Sequence, residues 1–88
     1  MKAPSLALYH FESCSYCERV RNALSRLDLE IELRDIQKVP KWRQELVAAT
    51  GKPMVPCLRI DAPGAAERWM HESLDIIHYL ETEIAPRG

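Results

Sequence analysis

The sequence predicts an α/β fold in which a mixed four-stranded sheet carries helices on both faces. Apolar runs and apolar helical stripes alternate along the chain in the order βαβαββα. The opening βαβ unit implies two parallel strands joined by a right-handed crossover. A turn sequence around Gly64 implies an antiparallel hairpin near the end. At 88 residues, we expect one domain that spans residues 1–88.

The first strand and first helix are predicted from residues 5–28. Residues 5–9 form a short apolar run typical of a buried strand, and residues 10–13 form a loop. From residue 14 to about residue 28 the apolar positions recur every three or four residues, which predicts a helix with Ser13 as its N-cap. The apolar stripe of this helix consists of Cys17, Val20, Leu24 and Leu27.

The second strand and second helix follow. Residues 30–35 alternate between polar and apolar, which predicts a strand. Pro40 suits the first turn of a helix that ends near Thr50, and Gly51 is a natural C-terminal stop. The residues expected to face inward from the strand segment are Ile31, Leu33 and Ile36.

The last third of the chain predicts a hairpin and a final helix. Residues 55–60 and 68–71 are predicted as strands, separated by a turn over residues 61–64. Ser73 is the expected N-cap of the last helix. Its apolar stripe consists of Ile76, Ile77, Leu80 and Ile84.

Charge and composition exclude several classes of partner. The net charge is -1, from 12 basic and 13 acidic residues, so we expect no nucleic-acid partner, because phosphates call for a basic face. No stretch approaches the roughly 20 apolar residues of a membrane span, so we expect no membrane partner. The N-terminal segment lacks the apolar core of a signal peptide. We therefore expect a cytoplasmic protein, and we expect it to be a monomer.

Cys14 and Cys17 are the predicted catalytic pair. At a spacing of three, both thiols lie near one end of a helix and within reach of a disulfide. The helix dipole and the unpaired backbone amides favour the thiolate of Cys14, which is the attacking species in disulfide exchange. Cys17 lies one turn further in, where burial suits it to resolving a mixed disulfide.

A zinc half-site is the alternative for this pair. It needs two further ligands, and the remaining candidates, Cys57 and three histidines, lack metal-ligand spacing. We favour redox chemistry because the pair follows a strand and opens a helix, and we predict no metal ligands. Cys57 itself has apolar neighbours and is predicted to be a small buried hydrophobe.

Two further features point to a cleft. Val55-Pro56 is predicted to contain a cis proline opposite the cysteine loop, which turns the Val55 backbone outward; an ordinary edge-strand proline is the alternative. Glu72-Ser73 begins a helix, where a hydroxyl and free amides suit a carboxylate; a plain N-cap is the alternative.

These motifs together resemble glutaredoxins, members of the thioredoxin superfamily. The matched residues are Leu8-Tyr9, Cys14-Ser15-Tyr16-Cys17, Thr50-Gly51, Met54-Val55-Pro56 and Glu72-Ser73. The second half, from residue 55 to residue 80, is even more similar to the N-terminal domain of glutathione S-transferases. The resemblance implies a thioredoxin-like fold and glutathione as reductant and co-substrate.

The resemblance also implies how glutathione binds. The Val55 backbone would pair with the cysteinyl part, Ser73 with the γ-glutamyl carboxylate, and Glu72 would lie near the amine. Tyr16 would lie beside the cleft, and Arg43 would face the glycyl carboxylate. The full implied set is Tyr16, Arg43, Val55, Pro56, Glu72 and Ser73.

The implied activity is glutathione-dependent thiol-disulfide exchange on disulfide-containing or glutathionylated proteins. Cys14 would attack, and Cys17 or a second glutathione would resolve the intermediate. Two departures matter: Phe11 stands where many glutaredoxins have Lys, and Ser15 where they have Pro. Ser15 stands in place of the active-site proline, which leaves a glutaredoxin that binds a [2Fe-2S] cluster between two protomers as one alternative.

A glutathione-binding module with weak transferase-like activity is the other alternative. His10 either supports the Cys14 thiolate or is a solvated loop residue.

Overall fold

Residues 4–85 are described in the computed structural model, and their strands and helices follow in the predicted order. A π-helical segment, Leu80–Ile84, continues the last helix. The elements are β1 (Ser5–His10), α1 (Ser15–Arg26), β2 (Glu32–Asp35), α2 (Pro40–Thr50), β3 (Cys57–Asp61), β4 (Arg68–Met70) and α3 (Ser73–Tyr79).

The four strands form one mixed sheet in the order β2-β1-β3-β4. β1 runs parallel to β2, with Leu8 opposite Leu33. β3 runs antiparallel to both of its neighbours, with Leu58 opposite Leu8 on one side and opposite Met70 on the other. The predicted parallel crossover and the predicted hairpin are therefore both confirmed.

Two apolar clusters lie on the two faces of this sheet, because successive strand residues point to opposite sides. On one face, α1 and α3 cover β1 and β3; this cluster consists of Leu8, Val20, Leu24, Leu58, Ile60, Ile76 and Leu80. On the other face, α2 covers a smaller cluster, which consists of Ala7, Tyr9, Ile36, Leu46 and Cys57. The prediction of helices on both faces is confirmed.

The face of the sheet covered by α2 also carries a network of polar side chains, which the sequence analysis did not predict. The buried Tyr9 hydroxyl donates to the Glu45 carboxylate. The Arg34 guanidinium donates to the Tyr9 hydroxyl at 2.6 Å and to the Glu45 carboxylate at 2.8 Å. Arg34 also lies over the Trp42 ring at 4.5 Å, and Trp69 packs on Tyr9 at 5.3 Å between ring centroids.

Several predicted boundaries need correction. β1 includes His10, which was expected in a loop. Cys14, and not Ser13, is the N-cap of α1, because the Cys14 sulfur accepts the Cys17 backbone N–H. α1 also ends at Arg26, two residues early, and Asp28 has a positive φ of 55° just beyond it.

The later strands are shorter than predicted. β2 begins at Glu32 and β3 at Cys57, each two residues later than expected, and β4 ends at Met70. Leu33 was expected to face inward but is 48% exposed, because β2 is an edge strand that the helices do not fully cover.

The helix ends around the predicted cleft are partly as expected. α2 begins at Pro40 and stops at Gly51, whose φ of 84° is left-handed, as predicted. The N-cap of α3 is Glu72, without a side-chain capping bond, and Ser73 is the first helical residue. Within residues 4–85, no helix is long and apolar enough to cross a membrane.

Candidate functional site

Cys14 lies where the β1–α1 loop meets the helix. Its side chain is half-buried, and its sulfur accepts the Cys17 backbone N–H at 3.4 Å. Its own backbone N–H donates to the Phe11 carbonyl at 3.2 Å. The sulfur thus sits at the positive end of α1, where a helix terminus favours an anion.

Cys17 is buried one turn further along α1. Burial, followed by the hydrogen bond with Cys14, raises the pKa of Cys17 from 9.0 to about 12, and Arg21 acts in the opposite sense. At neutral pH Cys17 is therefore a protonated thiol. Burial alone raises the pKa of Cys57 from 9.0 to about 12, and Cys57 packs in the cluster beneath α2, as expected of a small buried hydrophobe.

Arg21 holds the loop that precedes Cys14. Its guanidinium donates to His10 Nδ1 at 3.0 Å, to the Phe11 carbonyl at 3.3 Å and to the Glu12 carbonyl at 3.1 Å. His10 is buried, and burial, then the Arg21 charge, lowers its pKa below 6.5. His10 is thus neutral at neutral pH, so neither the cationic role nor the solvated position expected for it is found.

An open groove runs beside the start of α1, between the segment before β3 and the start of α3. Its volume is ≈ 330 Å³. The lining residues are Tyr16, Met54, Val55, Pro56, His71, Glu72 and Ser73. The Val55–Pro56 peptide bond is cis, as predicted. Cys14 is not among the lining residues, but Tyr16, two residues after it, is one of them and is 58% exposed.

The structure brings together five of the six residues predicted to bind glutathione. Arg43 is the exception, because it lies exposed on α2 and outside the lining. The guanidinium of Arg19 lies 5.6 Å from the ring centroid of Tyr16, which lines the groove.

Sequence reasoning missed two lining residues, Met54 and His71. Each directly precedes a predicted site residue, which is the signal that could have found them. His71 Nε2 is buried and has no hydrogen-bond partner among residues 4–85. Burial, then the Lys52 charge, lowers the pKa of His71 below 6.5, and Glu72 acts in the opposite sense.

The described residues contain no cluster of metal ligands around the cysteines. In the part of the chain that the structure describes, no three side chains of His, Cys, Asp or Glu come together as a metal site requires. The zinc half-site considered for Cys14 and Cys17 therefore has no further ligands within residues 4–85.

A protein-family model matches nearly the whole chain, including the residues that line the groove. The model described as glutathione S-transferase, N-terminal domain, matches residues 8–87. The chain belongs to this family. Among curated proteins, no match to the chain was found.

Solved structures of other proteins share the fold. Maleylacetoacetate isomerase from Anaeromyxobacter dehalogenans 2CP-1, solved with bound GSH in the active site, has a TM-score of 0.70 and 27% identity. That match covers 100% of this chain and 41% of the isomerase. Glutathione transferase Omega 2S from Trametes versicolor has a TM-score of 0.71 and 19% identity, over 98% of this chain and 38% of the transferase. The chain spans about two fifths of the length of both proteins.

A glutaredoxin is similar in fold as well. Glutaredoxin from Brucella melitensis has a TM-score of 0.58 and 21% identity, over 99% of this chain and 88% of the glutaredoxin. This likeness confirms the thioredoxin-like fold. The sequence resembled both glutaredoxins and glutathione S-transferases. The family match assigns the chain to the N-terminal domain of the transferases, and the similarity to the glutaredoxin is one of fold.

Proposed function

We propose that the protein is a glutathione-dependent thiol-disulfide oxidoreductase that acts through Cys14. One observation carries the proposal: the half-buried thiol at the start of α1 comes two residues before Tyr16, which lines a groove together with Val55, Pro56, Glu72 and Ser73. The family match and the GSH-bound isomerase support glutathione as the ligand of that groove.

The groove suits a small peptide thiol. Val55, Glu72 and Ser73 all line the groove. In the proposed complex the Val55 backbone pairs with the cysteinyl part, and Ser73 and Glu72 bind the γ-glutamyl carboxylate and amine. The glycyl carboxylate has no partner assigned within the lining, because Arg43 lies outside it.

The chemistry follows the difference between the two thiols. The Cys14 thiolate attacks the glutathionyl sulfur of a mixed disulfide; a Cys14–glutathione disulfide forms and the protein thiolate leaves and takes up a proton. A second glutathione thiolate then attacks the glutathionyl sulfur, which frees Cys14 and yields glutathione disulfide. Cys17 resolves the same intermediate only after losing its proton, which its raised pKa disfavours.

Two cysteine variants test this order of events. In a glutathione-coupled assay with a glutathionylated peptide, we expect Cys14→Ser to abolish turnover and Cys17→Ser to keep much of it. Cys57→Ala is the matched control, because Cys57 is buried in the core and is not among the residues that line the groove. Equal loss in the Cys14 and Cys17 variants would instead indicate a thioredoxin-type dithiol mechanism.

A second candidate is favoured by the family match itself. The chain would then be a glutathione-binding module with weak transferase-like activity. Glutathione binding by the wild type without disulfide reduction, together with slow conjugation to a small aryl halide, would support this candidate over the first.

A further inference from the structure

Arg21 bonds to three consecutive residues that precede Cys14. One guanidinium nitrogen, Nη1, donates to His10 Nδ1 at 3.0 Å and to the Phe11 carbonyl at 3.3 Å. The other, Nη2, donates to the Glu12 carbonyl at 3.1 Å. The side chain is half-buried on α1. Because a guanidinium is planar and its donors form a rigid fork, these bonds fix the loop relative to the helix.

The Phe11 carbonyl connects this fork to the cysteine. A carbonyl oxygen has two lone pairs, and this one accepts the Cys14 backbone N–H at 3.2 Å as well as the Arg21 guanidinium. Cys14 is in turn the N-cap of α1, because its sulfur accepts the Cys17 backbone N–H at 3.4 Å. The position of that sulfur at the helix end therefore depends on a carbonyl group that Arg21 holds.

Lys38 contacts the same loop at its exposed edge. Its ammonium donates to the Glu12 carboxylate at 2.8 Å, and both side chains are largely exposed. Exposed ion pairs contribute little to stability. Since this pair acts on the side chain of Glu12 and not on the Phe11 carbonyl, its removal should leave Cys14 in place.

We propose that Arg21 is a positioning residue that holds the Cys14 sulfur at the start of α1 for attack on a disulfide. The inference rests on the proposed function, which assigns the attack to Cys14. Arg21 acts through the Phe11 carbonyl and is not among the residues that line the groove. Its loss should therefore lower the reactivity of Cys14 and leave glutathione binding unchanged.

Arg21→Leu in the full chain tests the proposal, because leucine keeps an apolar side chain and removes the donors. A pulse of iodoacetamide at neutral pH, followed by peptide mass spectrometry, measures the alkylation rate of Cys14 in the folded protein without glutathione. We expect this rate to fall about fivefold, as expected for loss of one helix-capping interaction. The kcat/KM for a glutathionylated peptide should fall at least as much, while the Kd for glutathione stays the same.

Two further variants are matched controls. Arg26→Leu removes an arginine from the same helix, where it forms an exposed ion pair with Glu81. Lys38→Met removes the exposed ion pair of the loop itself. Both should keep the wild-type alkylation rate. A loss in either control equal to that in Arg21→Leu would overturn the proposal, because the effect would then not depend on the guanidinium fork.

Arg21→Lys separates the fork from its charge and also tests the proposal if Arg21→Leu does not fold. Lysine keeps the positive charge but replaces the planar fork by a single ammonium group. We expect it to recover only part of the alkylation rate. A wild-type rate in Arg21→Lys would contradict the proposal, because the charge alone would then account for the reactivity of Cys14.

The outcomes separate this inference from the proposed function. If the wild type reduces the peptide and Arg21→Leu is alkylated at the wild-type rate, only the inference fails, and Arg21 is a structural residue. A weaker Kd for glutathione in Arg21→Leu would also overturn the inference, because the groove itself would have changed. If the wild type reduces nothing but Arg21→Leu still slows alkylation, the proposed function fails and Arg21 remains the residue that positions a reactive thiol.

Discussion

The three cysteines differ in burial, and burial decides their reactivity. Cys14 is half-buried at the start of α1, whereas Cys17 and Cys57 are fully buried. The pKa of each buried thiol is raised to about 12, so both stay protonated at neutral pH. Thiolate is the reactive form, so a single thiol should dominate the chemistry of the folded chain.

This difference predicts the order of alkylation. A short iodoacetamide pulse at neutral pH should label Cys14 well before Cys17 or Cys57, as measured by peptide mass spectrometry. In concentrated urea, where burial is lost, the three thiols should react at similar rates. Labelling of Cys57 as fast as that of Cys14 in the folded chain would contradict the burial argument.

The environment of the Arg21 side chain differs from the one that its position in the helical pattern predicts. It falls on the charged side of the α1 stripe, which predicts a solvated side chain. The structure has it half-buried, with bonds to His10, Phe11 and Glu12 that fix the loop before Cys14. The β1–α1 connection decides this, because it brings loop carbonyls within reach of a helix residue ten positions away.

At the scale of elements, α2 ends through a backbone conformation. Gly51 has a φ of 84°, and its backbone N–H donates to the Val47 carbonyl at 2.8 Å. A Cβ atom added at Gly51 would meet nothing within 4 Å. The requirement for glycine here is therefore conformational and not steric.

Gly51→Ala should lower the free energy of unfolding by about 1–2 kcal/mol, the cost of the left-handed region for a residue with a Cβ. Urea denaturation of the full chain measures this loss. Gly51→Asn is the matched control, because asparagine tolerates the left-handed region and should lose less. Equal losses in the two variants would show that the helix stop does not depend on this backbone angle.

At the scale of the whole molecule, we expect the free energy of unfolding to decrease both at acidic pH and at alkaline pH. The pKa values of His10 and His71 lie below their ordinary 6.5, so the unfolded chain binds more protons there. Their contribution is present above pH 6.5 and is lost as the pH falls. Burial raises the pKa values of Cys17 and Cys57 from 9.0 to about 12, so their contribution is present below pH 9.0 and is lost as the pH rises toward 12.

Stability should therefore be greatest between the ordinary values of these groups, 6.5 and 9.0. Urea midpoints measured between about pH 5 and about pH 11 check the profile. Cys57→Ala should make the alkaline decline shallower, although Tyr9, whose pKa burial also raises, still contributes to it. A midpoint that rises on going above pH 9.0 would contradict the assignment.

The sequence by itself determined the order of the elements and the local chemistry at their ends. Pro40 and Gly51 bound α2 because they act on their own backbone angles, and the spacing of Cys14 and Cys17 brings both to one helix end. The cis peptide bond between Val55 and Pro56 was also predicted from the sequence. These features depend on residues a few positions apart, which a single sequence displays directly.

Only the tertiary structure decided which distant residues meet. Tyr9 and Glu45 are 36 positions apart, and no pattern in the sequence around either residue indicates that the two side chains form a hydrogen bond. His71 reaches the groove, and Leu33 is exposed at the sheet edge, because of strand order and helix coverage. Such contacts arise when the two faces of the sheet are covered together, so local periodicity, which reports only one segment at a time, does not contain them.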